Sequence, residues 1–337
     1  MKRTFISSRQ TQYRANLHSH STLSDGRLSV QQLKAAYRAQ GYSILAITDH
    51  EYPCDHSDMN ESDFLMLTAY EAHIRPDPEF DPYKPEIHLN LFAKDPHNEI
   101  SVCYNPKYAK FISQDRLAQL TRVGSEHPRE YTIDYVQEVI DTAVANGYLV
   151  AYNHPVWSME AEERILSYKN LFSLEIDNYN SFVGNNLEHS GALYDKMLRM
   201  GNRLFCHAGD DCHNKFPLTS PYSDSFGAWT MILAEELTYP AIIDAMQRGD
   251  MYATMGPTIH EVSIENDLIT VSCSPAEKII VYDGGKLPCF APAKEGMTLT
   301  ETTLQLREDA PYFRIGVVDE HGRIATTRGF FRDEWSL

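Results

Sequence analysis

Paired cysteines are missing. Cys54, Cys103, Cys206, Cys212, Cys273 and Cys289 are scattered through 337 residues with no C-x-x-C. That spacing excludes a disulfide framework and a thiolate zinc site, and it fits a reducing cytoplasm. Long apolar runs are missing too: none approaches a membrane span, and M-K-R-T-F-I-S-S-R-Q at the start lacks the apolar stretch of a signal peptide. Basic charge is scarce, with 30 Lys and Arg against 47 Asp and Glu and a formal net charge of −17. Such a balance argues against a nucleic-acid groove or an anionic membrane surface as the main partner. The expected location is cytoplasmic, and the oligomeric state stays open. No convincing G-x-S-x-G marks a serine nucleophile, and there is no internal repeat or low-complexity tract. What remains is a chain 42% hydrophobic and 23% charged. Its length allows a large domain plus a small one, with a core that needs no staples.

What is present is histidine at regular places. Residues 15–25 read A-N-L-H-S-H-S-T-L-S-D. On an extended strand, residues two apart share a face, so His18 and His20 project together with Asp25 close behind. Two imidazoles and a carboxylate suit a hard or borderline divalent metal. Taken alone, H-x-H is also simply a strand face with two polar side chains.

The rest of the chain repeats the theme. Ser29 with Gln32 forms a capping box before V-Q-Q-L-K-A-A-Y-R-A-Q, and Gly41 stops that helix. The strand-like run Y-S-I-L-A-I-T ends at Asp49-His50, F-L-M-L-T-A-Y ends at Glu71, and E-I-H-L-N-L-F-A contains His88. Residues 94–130 show no clean period and read as an insertion with short helices. A helix closed by Gly147 follows, and Y-L-V-A-Y then runs into Asn153-His154-Pro155. L-F-S-L-E-I carries Glu175, a helix stops at Gly201, R-L-F-C-H-A-G reaches Asp210-Asp211-Cys212-His213, and a last helix closes at Gly249. Apolar strands alternating with helices predict a parallel sheet. Metal-type residues at the carboxyl ends of many strands predict a closed β/α barrel over an open doubly wound sheet. The expected fold class is α/β, a distorted TIM-like barrel of seven strands over residues 1–257. Residues 258–337 change texture to short strands with turns at Asp283-Gly284-Gly285 and Glu320-His321-Gly322, which predicts a small antiparallel β-sandwich-like domain.

H-S-H, then S-D-G, T-D-H, an isolated Glu, N-H-P and a final D-x-H together resemble the PHP (polymerase and histidinol phosphatase) superfamily of metal-dependent phosphoesterases. The resemblance covers about residues 14–257. The segment from residue 234 to 257, with the β tail, looks like the CehA/McbA-type metallohydrolase branch. The resemblance implies a distorted (β/α)7 barrel holding up to three divalent ions, zinc, manganese or iron. Carried over residue by residue, His18, His20, Glu71 and Asp211 would hold one ion. Asp25, His50 and His213 would hold a second, and Glu71, His88 and His154 a third. Asp25 stands where some members have His, and a carboxylate there favours a harder ion. Glu71, Asp211 and His213 are read as the catalytic members.

The chemistry needs no family name. Two metals a few ångströms apart lower the pKa of a bridging water towards roughly 7 and neutralise phosphoryl oxygens. The first expectation is therefore hydrolysis of a phosphoester in a small phosphorylated molecule. A metal-dependent hydrolase of carboxylic esters, carbamates or amides is the alternative, and a non-catalytic metal-binding module is a third reading. Bland readings stand beside the sharp ones. Asp49 reads as structural, and Asp211 is chosen over Asp210 by D-x-H spacing. His73 or His97 are alternatives to His88. His207 reads as a satisfied core residue, Cys212 as filler and Glu175 as a weak pocket candidate. Arg27, Lys94, Arg122 and Lys215 are possible phosphate contacts, Tyr222, Phe226 and Trp229 a possible aromatic wall. The insertion and the β tail are expected to shape the pocket.

Overall fold

The computed structural model describes residues 2–76, 79–125 and 128–336; residues 126 and 127 of the expected insertion lie outside them. The chain opens with β1 (Arg3–Ile6), β2 (Thr11–Asn16), α1 (Val30–Ala39), β3 (Ile44–Ile47), β4 (Leu65–Ile74) and β5 (Ile87–Ala93). The insertion holds the two-residue strand β6 (Ser101–Val102), the single-turn helix α2 (Gln114–Leu117) and the two-residue strand β7 (Arg122–Val123). Then come α3 (Ile133–Ala145), β8 (Tyr148–Tyr152), α4 (Glu162–Ile165), β9 (Ser173–Asn178), α5 (Tyr179–Asn185), α6 (Gly191–Arg199) and β10 (Phe205–Gly209). β11 (Trp229–Ala234), α7 (Tyr239–Arg248), the last α-helix among the described residues, and β12 (Met251–Thr254) follow. The remaining strands are β13 (Ile259–Glu265), β14 (Leu268–Ala276), β15 (Lys278–Tyr282), β16 (Phe290–Pro292), β17 (Leu299–Gln305), β18 (Tyr312–Val318), β19 (Ile324–Thr327) and β20 (Phe330–Phe331).

Local chemistry sets several of these boundaries. Ser29 accepts from the Gln32 amide while the Gln32 side chain accepts from Ser29 N at 2.8 Å, so α1 starts at its capping box. Thr132 and Thr238 accept backbone N–H groups at the starts of α3 and α7. Gly249, at φ +70°, ends α7 in the left-handed region that a side chain would strain.

Seven strands lie side by side in the order β10-β9-β8-β5-β4-β3-β2. The pairs β2–β3, β3–β4, β8–β9 and β9–β10 are parallel, as the strand–helix rhythm predicts. β5 runs antiparallel to both β4 and β8, which corrects the expectation of a wholly parallel sheet. The physical reason is the connection: no helix among the described residues separates β4 from β5, and a strand returning without a crossover must pair antiparallel. Regular pairing gives β2 the neighbour β11, and β10 meets the β2 segment beyond the strand ends. There Asp211 N donates to His18 O at 2.9 Å and His20 N donates to Cys212 O at 3.0 Å. Large buried side chains on α3, α6 and the strands form the main core, including Val139, Ile140, Met197, Leu89 and Leu174.

The ladder continues from β11 through β12, β19, β18 and β15 to β16, and a second sheet runs β1-β13-β14-β17. β1 pairs antiparallel with β13, so the first strand lies in this second sheet and not beside β2. Ile6, Val262, Ile264 and Val271 share one buried apolar cluster with Val281, Phe313, Ile315 and Val317, so the two sheets pack face to face. Arg314 of β18 is buried and donates to both oxygens of Asp195 on α6, at 2.8 and 2.7 Å. No helix among the described residues is long and apolar enough to cross a membrane.

Candidate metal centre

The nine candidate ligands arrive at one end of the seven strands by three different routes. His18 and His20 lie just past the end of β2, in an extended segment whose Ser19 bridges Cys212. Their ring centres are 5.3 Å apart. His50, His154, Asp211 and His213 also follow strand ends, those of β3, β8 and β10. Glu71 is different: β4 runs on to Ile74, so this carboxylate sits inside a strand and not at its end. His88 arrives by the third route. It is the second residue of β5, opposite His73, and because β5 is reversed its first residues lie at the end where its neighbours finish. His97 is exposed and bonds Asp55, away from the cluster.

Glu71 is the hub. Its Oε1 lies 3.1 Å from His18 Nε2, 3.2 Å from His88 Nδ1 and 3.6 Å from His154 Nε2. Its Oε2 lies 3.1 Å from His50 Nδ1 and 3.4 Å from His20 Nε2. Asp211 Oδ1 is 3.2 Å from His18 Nε2 and 3.1 Å from His20 Nε2. Asp25 closes the outer side, 3.4 Å from His213 Nε2, 3.7 Å from His50 Nε2 and 3.9 Å from His20 Nδ1. Donor atoms within 4.8 Å of one another form the groups His20–Asp25–His50–His213, His18–His20–Asp211, His18–Glu71–His154 and His50–Glu71–His88. His88 and His154 thus reach Glu71 in separate groups, where the resemblance implies one shared set.

A surrounding layer fixes these side chains. Glu175 is fully buried; its Oε1 is 2.9 Å from His18 Nδ1, which leaves His18 Nε2 aimed at Glu71 and Asp211. Its Oε2 accepts from His154 N at 2.9 Å and Asn178 Nδ2 at 3.0 Å. Glu175, a weak pocket candidate on sequence alone, lies behind the ligands and orients two of them. Asn153, from N-H-P, donates to Glu71 Oε1 at 2.6 Å. Asp49 accepts from Ser21 N at 2.8 Å and Ser21 Oγ at 2.5 Å, a structural carboxylate. Asp210 turns away from the cluster and accepts from Tyr37 Oη and the amides of Phe226, Gly227 and Ala228. His207 is buried with its Nδ1 3.0 Å from Ser173 Oγ, as a core residue. Cys212 is buried and takes the Tyr37 hydroxyl at 3.3 Å.

Backbone geometry marks the same place. Asp211 has φ +53° and His154 φ +26°, conformations that non-glycine residues hold only when their surroundings fix them. Gly26 of S-D-G has no room for a side chain, since a Cβ would fall 2.1 Å from His20 O.

The electrostatics are those of a centre built for cations. Burial works against the charge on Glu71, but the imidazoles of His88 and His18 hold its carboxyl well below the usual range. Asp211 is lowered against burial in the same way by His18, His20 and His213. Burial, with His213 and His50 nearby, pulls His20 down to about 4. Burial also opposes protonation of His88, yet Glu71 and Glu86 raise it to about 10. Asp25 and Asp211 raise His213 to about 9 against burial.

The centre opens into a pocket of about 420 Å³. Its lining includes Asp25, His50, Glu71, His88, His154, Asp211 and His213 as floor, and Arg75, Lys110 and Lys215 as cations. Of the four cations named from sequence, Lys215 lines the pocket and Arg27, Lys94 and Arg122 do not. The aromatic wall is Phe80, Tyr108, Phe111 and Trp157. Tyr222, Phe226 and Trp229 are elsewhere: Phe226 packs on Tyr37, Trp229 lies under Arg14, and Tyr222 is exposed beside Phe216. The insertion contributes Tyr108, Lys110 and Phe111, and its Arg129 is buried against Glu51 with Nη2 to Oε2 at 2.7 Å. The lining residues described end at Lys215, so the β tail supplies none of them.

The donor set fits divalent metal. Buried His18 Nε2, both His20 nitrogens, His50 Nδ1, His88 Nε2 and Glu71 Oε2 lack a hydrogen-bond partner, an arrangement costly to bury unless an ion satisfies it. Imidazoles mixed with carboxylates are the ligands of borderline and hard divalent ions.

No protein-family model and no curated protein matches the chain. Solved structures similar to it include the following two. One is a two-domain protein containing a predicted PHP-like metal-dependent phosphoesterase from Bacteroides vulgatus, at 13% identity and TM-score 0.47, covering 96% of each chain. Another is an amidohydrolase from Chromobacterium violaceum, at 16% identity and TM-score 0.38, covering 59% of this chain and 87% of that one. At such identities and scores neither likeness assigns an activity to this chain.

Proposed function

We propose that the chain is a metal-dependent hydrolase of phosphoester bonds in a small phosphorylated molecule, and that its seven-strand unit is the distorted β/α barrel of the PHP superfamily. The observation that carries this reading is the convergence of His18, His20, His50, His88 and His154 within 3.1–3.6 Å of the two oxygens of Glu71, open to a pocket with cations on its wall. Divalent ions held there supply Lewis acidity, lowering the pKa of water towards about 7 and neutralising phosphoryl oxygens. His18, His20, Glu71 and Asp211 would hold one ion, Asp25, His50 and His213 another, and His88 and His154 a third together with Glu71.

The chain's own groups do the rest. Glu175 holds the Nδ1 proton of His18, so His18 offers Nε2 to the centre. Asn153 holds Glu71 in one orientation through its amide hydrogen. Asp224 accepts from the amides of His213 and Asn214 and fixes the turn that carries Asp211 and His213. Lys215 stands on the pocket wall, where its ammonium would pair with a phosphoryl oxygen.

A carbonyl substrate is the second reading. Arg75 already donates to Glu86 at 2.9 Å and Lys110 lies 3.5 Å from Glu79, so much of the wall's positive charge is neutralised. Phosphomonoesters, phosphodiesters, carboxylic esters and carbamates of one leaving group, offered to manganese-, iron- and zinc-loaded protein, separate the readings. The expected result is phosphoester cleavage that chelation and His20→Ala abolish. Cleavage of carbonyl substrates alone contradicts it, as does turnover that survives metal removal.

A further inference from the structure

The pocket that holds the metal centre is lined by two unlike sets of side chains, and the difference bears on what lies beyond the scissile phosphate. One set is cationic, with Lys215 and Lys110. The other is the aromatic wall, and its rings are held differently. Trp157 stands on the floor, its ring centre 4.7 Å from that of His154 and 5.1 Å from that of His88. Tyr108 is buried, 5.1 Å from the His73 ring, with the Arg129 guanidinium 4.8 Å over its face. Phe80 and Phe111 keep 61% and 43% of their surface open although they line the same pocket. A single exposed phenylalanine needs no explanation. Here two of them line the same pocket as Trp157, which packs on the ligand histidines.

We infer that this wall takes the organic part of the substrate, so that the pocket selects phosphoryl compounds bearing a planar, apolar ring close to the phosphorus. The inference rests on the phosphoesterase reading and adds the substrate class. The geometry fits three requirements. A ring packs against aromatic faces offset or edge-on, which Trp157, Phe111 and Phe80, all lining the pocket, can offer. The pocket volume lies in the range that small ligands fill, about 300–1,000 Å³. Lys110 sits between Tyr108 and Phe111 in sequence and lines the same pocket, so the charged and apolar parts of one molecule find their partners within one short segment.

Non-hydrolysable phosphonates separate this inference from the activity itself. Titrating manganese-loaded protein calorimetrically with 2-phenylethylphosphonate and with ethylphosphonate compares two ligands that share a charged group and differ by one ring. The phenylethyl compound is expected to bind about 30-fold tighter or better. Phe111→Ala removes an open side chain whose loss leaves the fold intact, and it should cut that preference several-fold while ethylphosphonate binds as before. Trp157→Ala should cut it further. Equal affinity for the two phosphonates overturns the inference, and so does a preference untouched by both variants. Phosphoester turnover without a ring preference leaves the hydrolase standing and removes only the substrate class; a failure of all phosphoester turnover removes the hydrolase reading itself.

Discussion

The rim of the seven strands and the interior of the C-terminal sandwich are both buried, yet they are filled on opposite terms. Between β13, β14, β15 and β18 the interior is Val262, Ile264, Val271, Val281, Phe313, Ile315 and Val317, side chains that gain by leaving water. At the rim the interior is His18, His20 and Glu71, equally hidden but with ring nitrogens and a carboxylate oxygen short of hydrogen-bond partners. A region like the first stabilises the chain. A region like the second costs stability until something fills it, and proteins retain such sites for function. The apolar unit contributes no lining residue described to the pocket, and it joins the rest through the shared ladder at β12 and β19, through Arg314 on Asp195, and through Tyr312 and Phe331, which pack in the main core with Tyr194 and Met197.

That contrast can be broken in either region. Phe313→Ala in the sandwich should cost about 3–5 kcal/mol of unfolding free energy in urea. The cost should be the same with and without bound metal, because Phe313 touches no candidate ligand. A cost that appears only in the loaded protein would mean that the two regions are coupled more closely than their packing shows.

A smaller effect sharpens the comparison from the other side. Without metal, His88 and His213 are raised to about 10 and about 9. Both are therefore protonated at pH 7, whereas His20, lowered to about 4, is neutral. Their raised values stabilise the metal-free fold fully below the ordinary histidine pKa, and this contribution is lost as pH rises through about 9 and about 10. Metal must displace those protons and one from His18, which Asp211, Glu175 and Glu71 raise well above the ordinary histidine value against burial, so uptake at pH 7 should release about three per molecule and apparent affinity should weaken as pH falls. Calorimetry in two buffers of different ionisation enthalpy measures the release directly. Binding enthalpies identical in both buffers would contradict it.

Much of this centre was legible because the ligands recur in short motifs at strand ends. H-S-H, T-D-H, N-H-P and D-C-H each carry their own spacing, and all four meet in space. The helix caps at Ser29 and Gly249 were legible for the same reason, since a cap depends on residues within one turn. Strand direction is not encoded that way. E-I-H-L-N-L-F-A reads alike in either sense, so the reversal of β5, and with it the reason His88 reaches the rim, emerges only from its pairing with β4 and β8. Glu71 looked like a strand end because A-H-I after it breaks the apolar run, while pairing with β5 carries β4 on to Ile74. The aromatic wall was misplaced because Phe80, Tyr108 and Trp157 come from three separate loops whose meeting is a tertiary event. Glu175 was undervalued because a carboxylate inside a strand gives no hint that a histidine 157 positions earlier will find it.

The claim on which the account turns is that Glu71 joins the ions of one centre. The metal content of the wild-type protein and of Glu71→Gln, loaded with manganese or zinc, dialysed and measured by mass spectrometry, tests it most directly. Glutamine keeps the size of the side chain and removes its charge. More than one tightly held ion is expected in the wild type and the loss of at least one from Glu71→Gln, with the fold retained by circular dichroism. Equal metal content in the two proteins, or none in either, would contradict it.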